Sequence, residues 1–439
     1  MQLDFRGRNM DVATYPFRFM RILGLAGMGG CEPNECFLTL ERVKDHNDES
    51  WVQEWARLAE RIERQAEQAE RDGQMLAARG AYLRASAYFQ VAMFSLSPAD
   101  QRLFDYLTHS REIFHKVVAW LTPRVEVVEV PFEGARLPAY FISGGQPKGP
   151  TLLVINGGDS TNEEMMHMIG FKAAQRGWNC LVFEGPGQWS ALQLNPGLVM
   201  RVDYEKPVAA VVDYLLQRSD VDPAKIALYG LSLSSLLGGR AAAYEKRICA
   251  CILNGGPVVD VNQAWEAVRP PWVKKTIPGV WDFLFGLLMK YNAQFAGLVN
   301  HFKWSFGVST LRDVLDAFRP YNIRECAPLI DCPTLILEGE GEYAQTDRAT
   351  GLLALRFISE MKCPVTIHEF TLEADGWAAS HCQIGGPQAA SAVILEWLDK
   401  VVVQGRRLAP TPFDTRLMHK YFPDRHLDEI VGRIQCSTI

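Results

Sequence analysis

The sequence predicts an α/β fold, a mostly parallel sheet covered by helices on both faces, with an N-terminal helical domain and a helical insertion. Three observations carry this. From residue 125 onward, short apolar runs suited to buried strands alternate with helical stretches, as a parallel sheet with crossover helices requires. Before residue 121, apolar residues recur instead at three- and four-residue steps, and between 257 and 325 a helical, aromatic-rich stretch interrupts the alternation. Finally, Gly230-Leu-Ser232-Leu-Ser234 lies between the apolar run Ile226–Tyr229 and a Leu- and Ala-rich stretch, where a strand would turn sharply into a helix.

The bulk numbers exclude several classes. In 439 residues, 48% are apolar and 22% charged, an ordinary globular balance with ample length for a large core. A net charge of -6 gives no electrostatic footprint for nucleic acid. The most apolar segment, Pro278–Met289, is too short to span a bilayer and contains Asp282, so no membrane partner is expected. Ten cysteines are scattered without paired Cys-x-x-Cys spacing, and several sit in strand-like runs. Buried free thiols in the reducing cytoplasm account for them better than a disulfide framework. The first residues lack the apolar core of a secretory signal. The expected partner is a small-molecule substrate, with a homodimer compatible; no cofactor or metal is expected.

Taken in order, residues 1–48 read as irregular, and the patch Gly24–Gly30 reads as a tight turn or close backbone approach, since no strand precedes it. Trp51, Trp55, Leu58, Ile62, Ala66 and Ala69 mark a first helix, broken at Asp72-Gly73. A second helix runs through Tyr82, Ala85, Phe89 and Met93. Ser97-Pro98 reads as the cap and first turn of a third, through Leu103, Leu107 and Phe114. Together, residues 1–121 form a helical region expected to help cover the active site.

A first core segment, 122–256, opens with an antiparallel pair, Val125–Phe132 and Arg136–Ile142, joined at Glu133-Gly134. Strands follow at Thr151–Ile155, Asn179–Phe183, Ile226–Tyr229 and Ile248–Leu253, and in a second core segment, 326–407, at Thr334–Leu337 and Val365–Phe370. Helices are expected near 162–176, 204–217, 233–245, 347–361 and 387–404. The insertion 257–325 reads as a cap over the C-terminal strand edge, where open α/β sheets bind ligands. Its Trp265, Trp272 and Trp281 are the expected substrate contacts. Residues 408–439 form a tail.

Gly-x-Ser-x-small fits a strained turn that throws one serine out of the top of a sheet, the nucleophile-elbow pattern. Alone it is also a plain small-residue turn, so the loops downstream decide. Acyl-transfer chemistry needs a nucleophile, a base and a group that orients the base, in the chain order Ser, acid, His for this arrangement. His381 leads into the last helix, after the last core strand; His368 lies mid-strand and is the weaker base. Glu342, in Gly339-Glu-Gly-Glu342, stands where a loop acid belongs. Asp347 is the alternative acid, with helix capping as its plain role, and Asp260 is third. The oxyanion donors are expected from the backbone amides of Leu233 and of Gly158, in Asn156-Gly-Gly-Asp-Ser160.

At these residues the chain resembles the FrsA-like α/β-hydrolases, the family of 2,6-dihydroxypseudooxynicotine hydrolase and of fungal polyketide chain-shortening hydrolases. The resemblance rests on Gly157–Glu164, Glu184-Gly-Pro-Gly-Gln188, the Gly230–Ser234 elbow, Cys332-Pro-Thr and His381-Cys-Gln, and it extends to Glu49-Ser-Trp51 and Ala78–Ser86 in the helical arm. It implies an α/β-hydrolase fold, a helical arm that helps close the site, and hydrolysis of a C–C bond beside a carbonyl or of an ester, without a cofactor. Relatives that look like condensation or release catalysts imply a second reaction type, and a hydrolase fold kept only as a ligand receptor is a third reading. Two positions depart from the family pattern: Ser234 replaces a glycine, and Glu342 an aspartate.

Overall fold

The computed structural model describes residues 14–45, 47–256, 258–263, 293–343 and 348–408, short pieces at 4–5, 8–9, 410–411 and 436–437, and positions 416, 420 and 430.

Residues rich in Val, Ile and Leu build the sheet: β1 (Val125–Phe132), β2 (Ala135–Ile142), β3 (Gly149–Ile155), β4 (Asn179–Phe183), β5 (Val221–Leu231), β6 (Ala250–Asn254), β7 (Thr334–Gly339) and β8 (Val365–Phe370). Two short strands of the tail, β9 (Pro410–Thr411) and β10 (Cys436–Ser437), extend its edge. The order is β1-β2-β4-β3-β5-β6-β7-β8-β10-β9. Strands β3 to β8 run parallel, whereas β1 and β2 pair antiparallel and β2 pairs antiparallel with β4. The β1–β2 turn places Glu133 and Gly134 at φ 46° and 84°, the doubly left-handed turn that matches the twist of a hairpin.

Every residue of β3, β4, β6 and β7 is buried, as strands covered on both faces must be. Alternate residues feed two cores. Leu152, Val154, Cys180 and Val182 join one with the N-terminal helices and α16 (Pro387–Leu398), while Leu153, Ile155, Leu181 and Phe183 join the other with α9 (Glu205–Leu216) and α10 (Leu233–Tyr244). The sheet is therefore the wall between two apolar layers.

The N-terminal region is more helical than its sequence suggested. Residues read as irregular form α1 (Thr14–Gly24), a 3-10 turn (Leu25–Met28) and α2 (Pro33–Leu40). Tyr15, Phe19 and Ile22, at four- and three-residue steps, are buried against the main core. Three longer helices follow, α3 (Asp48–Arg71), α4 (Met75–Met93) and α5 (Gln101–Val118). The cap of α5 is Asp100, whose carboxylate accepts from the Arg102 amide at 3.0 Å, and not Ser97. Ser97 instead closes the preceding turn, its carbonyl accepting from the Asp100 amide.

Between β3 and β4 the chain is helical in three steps, α6 (Asn162–Met165), a π turn (Met166–Gly170) and α7 (Phe171–Gln175). α8 (Trp189–Leu194) follows β4. Of the insertion, the described part holds α11 (Ala293–Phe306) and α12 (Leu311–Phe318), the latter closed by a reciprocal Thr310–Asp313 capping box. Trp265, Trp272 and Trp281 lie outside the described residues. After β7 come α13 (Glu340–Tyr343) and α14 (Arg348–Glu360), and after β8 α15 (Leu372–Asp375). The nine described cysteine side chains are free thiols, and no helix among the described residues is long and apolar enough to cross a membrane.

Candidate active site

The polypeptide leaves β5 at Leu231 and enters α10 at Leu233, so Ser232 alone makes the turn, at φ 57° and ψ -123°. A side chain in the left-handed region is strained, and such strain persists only where the surroundings enforce it. They do so here: the Ser232 amide donates to the Asn254 carbonyl at the end of β6, 2.8 Å away. Gly230 is obligatory, because a Cβ there would lie 2.0 Å from the Ser234 carbonyl oxygen. Ser234, the departure from the family pattern, is fully buried and its hydroxyl donates to the Asn156 carbonyl. The extra hydroxyl thus ties the elbow to the loop expected to hold the oxyanion.

The Ser232 hydroxyl lies 2.8 Å from His381 Nε2, and His381 Nδ1 lies 3.3 Å from Glu342 Oε2. The second oxygen of Glu342 accepts from the Cys382 amide at 3.1 Å, which fixes the carboxylate against the imidazole. Cys382 takes φ 54°. Its buried thiol lies 3.4 Å from His381 Nε2 and 3.6 Å from the Asn254 carbonyl. Burial alone would lower the His381 pKa, but the neighbouring Cys382 and Glu342 outweigh it and hold the imidazole well above its ordinary value.

Of the competing residues, the two that the structure describes are differently employed. Asp347 lies outside the described residues. Asp260 accepts from the Gln263 amide, Asn322 and Arg324, a structural role. His368 stays on β8 with its ring 4.7 Å from Phe370, and burial lowers its pKa.

The loop after β3 is held by a residue that the sequence reading assigned no role. Gln188, fully buried, donates through Nε2 to the carbonyls of Asn156 (2.6 Å) and Gly157 (3.0 Å). Its Oε1 accepts from the Gly185 amide (2.7 Å) and the Tyr204 hydroxyl (3.1 Å), so the amide has one sensible orientation. In a trans peptide the C=O and N–H point opposite ways, so the Gly157 carbonyl held by Gln188 directs the Gly158 N–H away from it. Leu233, at the first turn of α10, has an amide with no preceding intrahelical carbonyl. The two candidate oxyanion residues are adjacent: a Cβ on Gly158 would sit 3.7 Å from the Leu233 Cβ.

Three parts of the chain converge on this loop. Arg21 of α1 forms a two-pronged pair with Glu164 (2.5 and 2.6 Å) and reaches Asp159 Oδ2 at 2.8 Å. His301 of α11 places Nε2 2.7 Å from the Gly158 carbonyl. The ring of Trp189, next to Gln188, lies 4.6 Å from that of His301 at a tilt of 49°, while Phe94, just after α4, packs by Trp189 and Phe104 of α5 by Trp304. Arg21 carries no local sequence signal, because its partners are more than a hundred residues away. Gln188 sits in the quoted Gly-Pro-Gly-Gln run, and His301 beside Phe302 and Trp304 in the aromatic insertion.

No family model matches the chain. It is 32% identical over 344 residues to 20-hydroxy-prefusarin hydrolase from Gibberella moniliformis, covering 73% of this chain and 81% of that one. It is 30% identical over 423 residues to the α/β-hydrolase psoB from Aspergillus fumigatus, covering 88% and 92%.

The chain belongs to the α/β-hydrolases.

Among solved structures, 2,6-dihydroxy-pseudo-oxynicotine hydrolase matches with a TM-score of 0.69 at 24% identity, covering 89% of this hydrolase and 98% of that chain, and AbyA5 with a TM-score of 0.60 at 18% identity, covering 96% and 99%. These two similarities concern the fold. They extend over the N-terminal helices as well as the sheet, so the helical arm of this hydrolase is part of the shared architecture.

Proposed function

We propose that this hydrolase uses Ser232 as nucleophile on a carbonyl of a medium-sized, largely apolar substrate, a polyketide or related secondary metabolite, breaking an ester, thioester or C–C bond. The observation that carries the reading is the unbroken chain of contacts from Ser232 Oγ through His381 to Glu342. In the proposed reaction, His381 takes the Ser232 proton through Nε2 as Oγ attacks the carbonyl. Glu342 holds the Nδ1–H tautomer and stabilises the imidazolium that forms. The amides of Leu233 and Gly158 receive the oxyanion, and His381 returns its proton to the leaving group. For an ester or thioester the leaving group is an alkoxide or thiolate; for a C–C bond it is a carbanion, which must leave as an enol or phenol. Water, activated by the same histidine, releases the acyl group from Ser232. The polyketide assignment draws support from the named substrate of the Gibberella relative, a prefusarin, and from the aromatic surroundings of Gly158.

A fluorophosphonate probe tests the nucleophile. Labelling of the wild-type protein, absent from Ser232→Ala, is expected. With an acyl N-acetylcysteamine thioester as substrate, Ser232→Ala and His381→Ala should each remove most turnover, because nucleophile and base act as one unit. If Ser232→Ala costs only about 10²–10³ in kcat while His381→Ala is dead, Ser232 merely holds an oxygen and acid–base condensation replaces this reading.

A further inference from the structure

A second polar site lies beside the oxyanion loop, and the proposed chemistry does not use it. His301 and Trp189 are both buried, with relative exposures of 7% and 4%. Their rings are 4.6 Å apart and inclined by 49°. The Gly158 carbonyl 2.7 Å from His301 Nε2 accepts only, so Nε2 carries the proton. Burial lowers the His301 pKa, which keeps the ring neutral and leaves Nδ1 with a lone pair. That Nδ1 has no hydrogen-bond partner among the described residues, and neither has the indole Nε1–H of Trp189. One buried acceptor and one buried donor therefore stand unmatched on two adjacent, tilted rings. Leaving such groups unpaired forfeits their hydration without return, which folded proteins rarely accept without a function or a bound partner.

The surroundings say what kind of partner fits. Trp304 lies 5.5 Å from Trp189, Phe302 5.5 Å from His301, and Phe94 6.2 Å from Trp189. The polar pair is thus set among aromatic rings, with His301 bonded to the Gly158 carbonyl. A carbonyl oxygen satisfies only the indole N–H, and an ammonium only the imidazole lone pair. A hydroxyl satisfies both, donating to Nδ1 and accepting from Nε1–H. We propose that His301 and Trp189 form a hydroxyl-recognising subsite, which selects substrates bearing an alcohol or enol on the otherwise apolar chain. This rests on the reading of Ser232 and Gly158 as the reaction centre, and it names a determinant of substrate choice that takes no part in bond breaking.

The test uses binding, so it needs no turnover. Octanoyl N-acetylcysteamine thioesters carrying a hydroxyl at C3, C5 or C7, and the parent without one, are titrated into the Ser232→Ala protein. At least one hydroxylated member should bind about 10–100-fold tighter than the parent, the worth of two neutral buried hydrogen bonds. The same ratio is then measured with His301→Gln, which keeps an amide donor for the Gly158 carbonyl but removes the Nδ1 acceptor. Trp189→Phe keeps the ring and removes the indole N–H. Each should shrink the preference, and the double variant should abolish it. Thermal midpoints establish that the variants are folded. If no hydroxylated member outcompetes the parent, the pair holds a resident water only and the proposal falls; it falls equally if the preference survives both substitutions. Failure of the nucleophile assignment reads differently, as absent fluorophosphonate labelling of Ser232 in the wild-type protein.

Discussion

At the scale of single residues, the site is tuned by charge placed next to His381. In the proposed mechanism His381 is the general base, which works in its neutral form, so activity is expected above the His381 pKa and should be lost as pH falls through it. Because the folded protein holds that pKa well above the ordinary histidine value, the acid limb of kcat/KM should lie on the alkaline side of 6.5. Glu342→Gln removes the negative charge and should move the limb to lower pH. It should also reduce kcat by up to about 10⁴, since the imidazole loses the partner that fixes its tautomer. A pH–rate profile of both proteins checks this, and an unmoved limb would dissociate Glu342 from the base. The glutamate and Ser234, both departures from the family pattern, are accommodated differently. The longer acid reaches His381 from the first turn of α13, and the Ser234 hydroxyl finds the Asn156 carbonyl. Sequence alone could place these residues in the right loops. It could not show that the hydroxyl had an acceptor waiting.

At the scale of elements, the loop after β3 is shaped from outside itself. Gln188, at the start of α8, bonds two successive carbonyls of that loop and thereby sets the plane of the Gly157–Gly158 peptide. Gln188→Glu replaces two donors with acceptors facing those carbonyls, so the loop should turn away. The expected result is a fall of about 10²–10³ in kcat, the loss of one oxyanion donor, with KM changed much less. Steady-state kinetics on a thioester decide it; a variant that raises KM and spares kcat would assign Gln188 to substrate binding. The strands of this region were legible because buried parallel strands are continuous apolar runs. α1 was not: it is short, its apolar face includes Tyr15 and Phe19 beside Arg18 and Arg21, and those arginines acquire their meaning only against distant carboxylates.

At the scale of the molecule, α1 is fastened through Arg21 to Asp159 and Glu164, which follow β3. Glu164 is almost wholly buried, and its charge is matched by that guanidinium. Arg21→Met would leave a buried carboxylate without its cation, a change that costs about 3–5 kcal/mol in comparable buried pairs. The urea midpoint should fall accordingly, and adding Glu164→Gln should recover part of the loss, because a neutral amide is cheaper to bury than an unpaired charge. A single variant as stable as the parent would show that the arm is anchored by its apolar contacts alone. Asp159, the other partner of Arg21, follows Gly158 directly, so Arg21→Met should also depress kcat.

The alternation of apolar strand runs with helical stretches, and the elbow with its downstream acid and histidine, were written locally in the sequence. They determined the layered α/β architecture and the order of the candidate residues, because strand burial, helix periodicity and tight-turn sterics act over a few neighbouring positions. The tertiary structure decided the rest. It brought Ser232 within 2.8 Å of a histidine 149 positions away, and joined Arg21 to Glu164 across 143. It turned residues read as irregular into a helix docked on the core, and set His301 and Trp189 side by side near Gly158. Polar contacts of this kind depend on which surfaces the packed layers bring together, and no local pattern encodes the partner of a buried charge or an unpaired nitrogen.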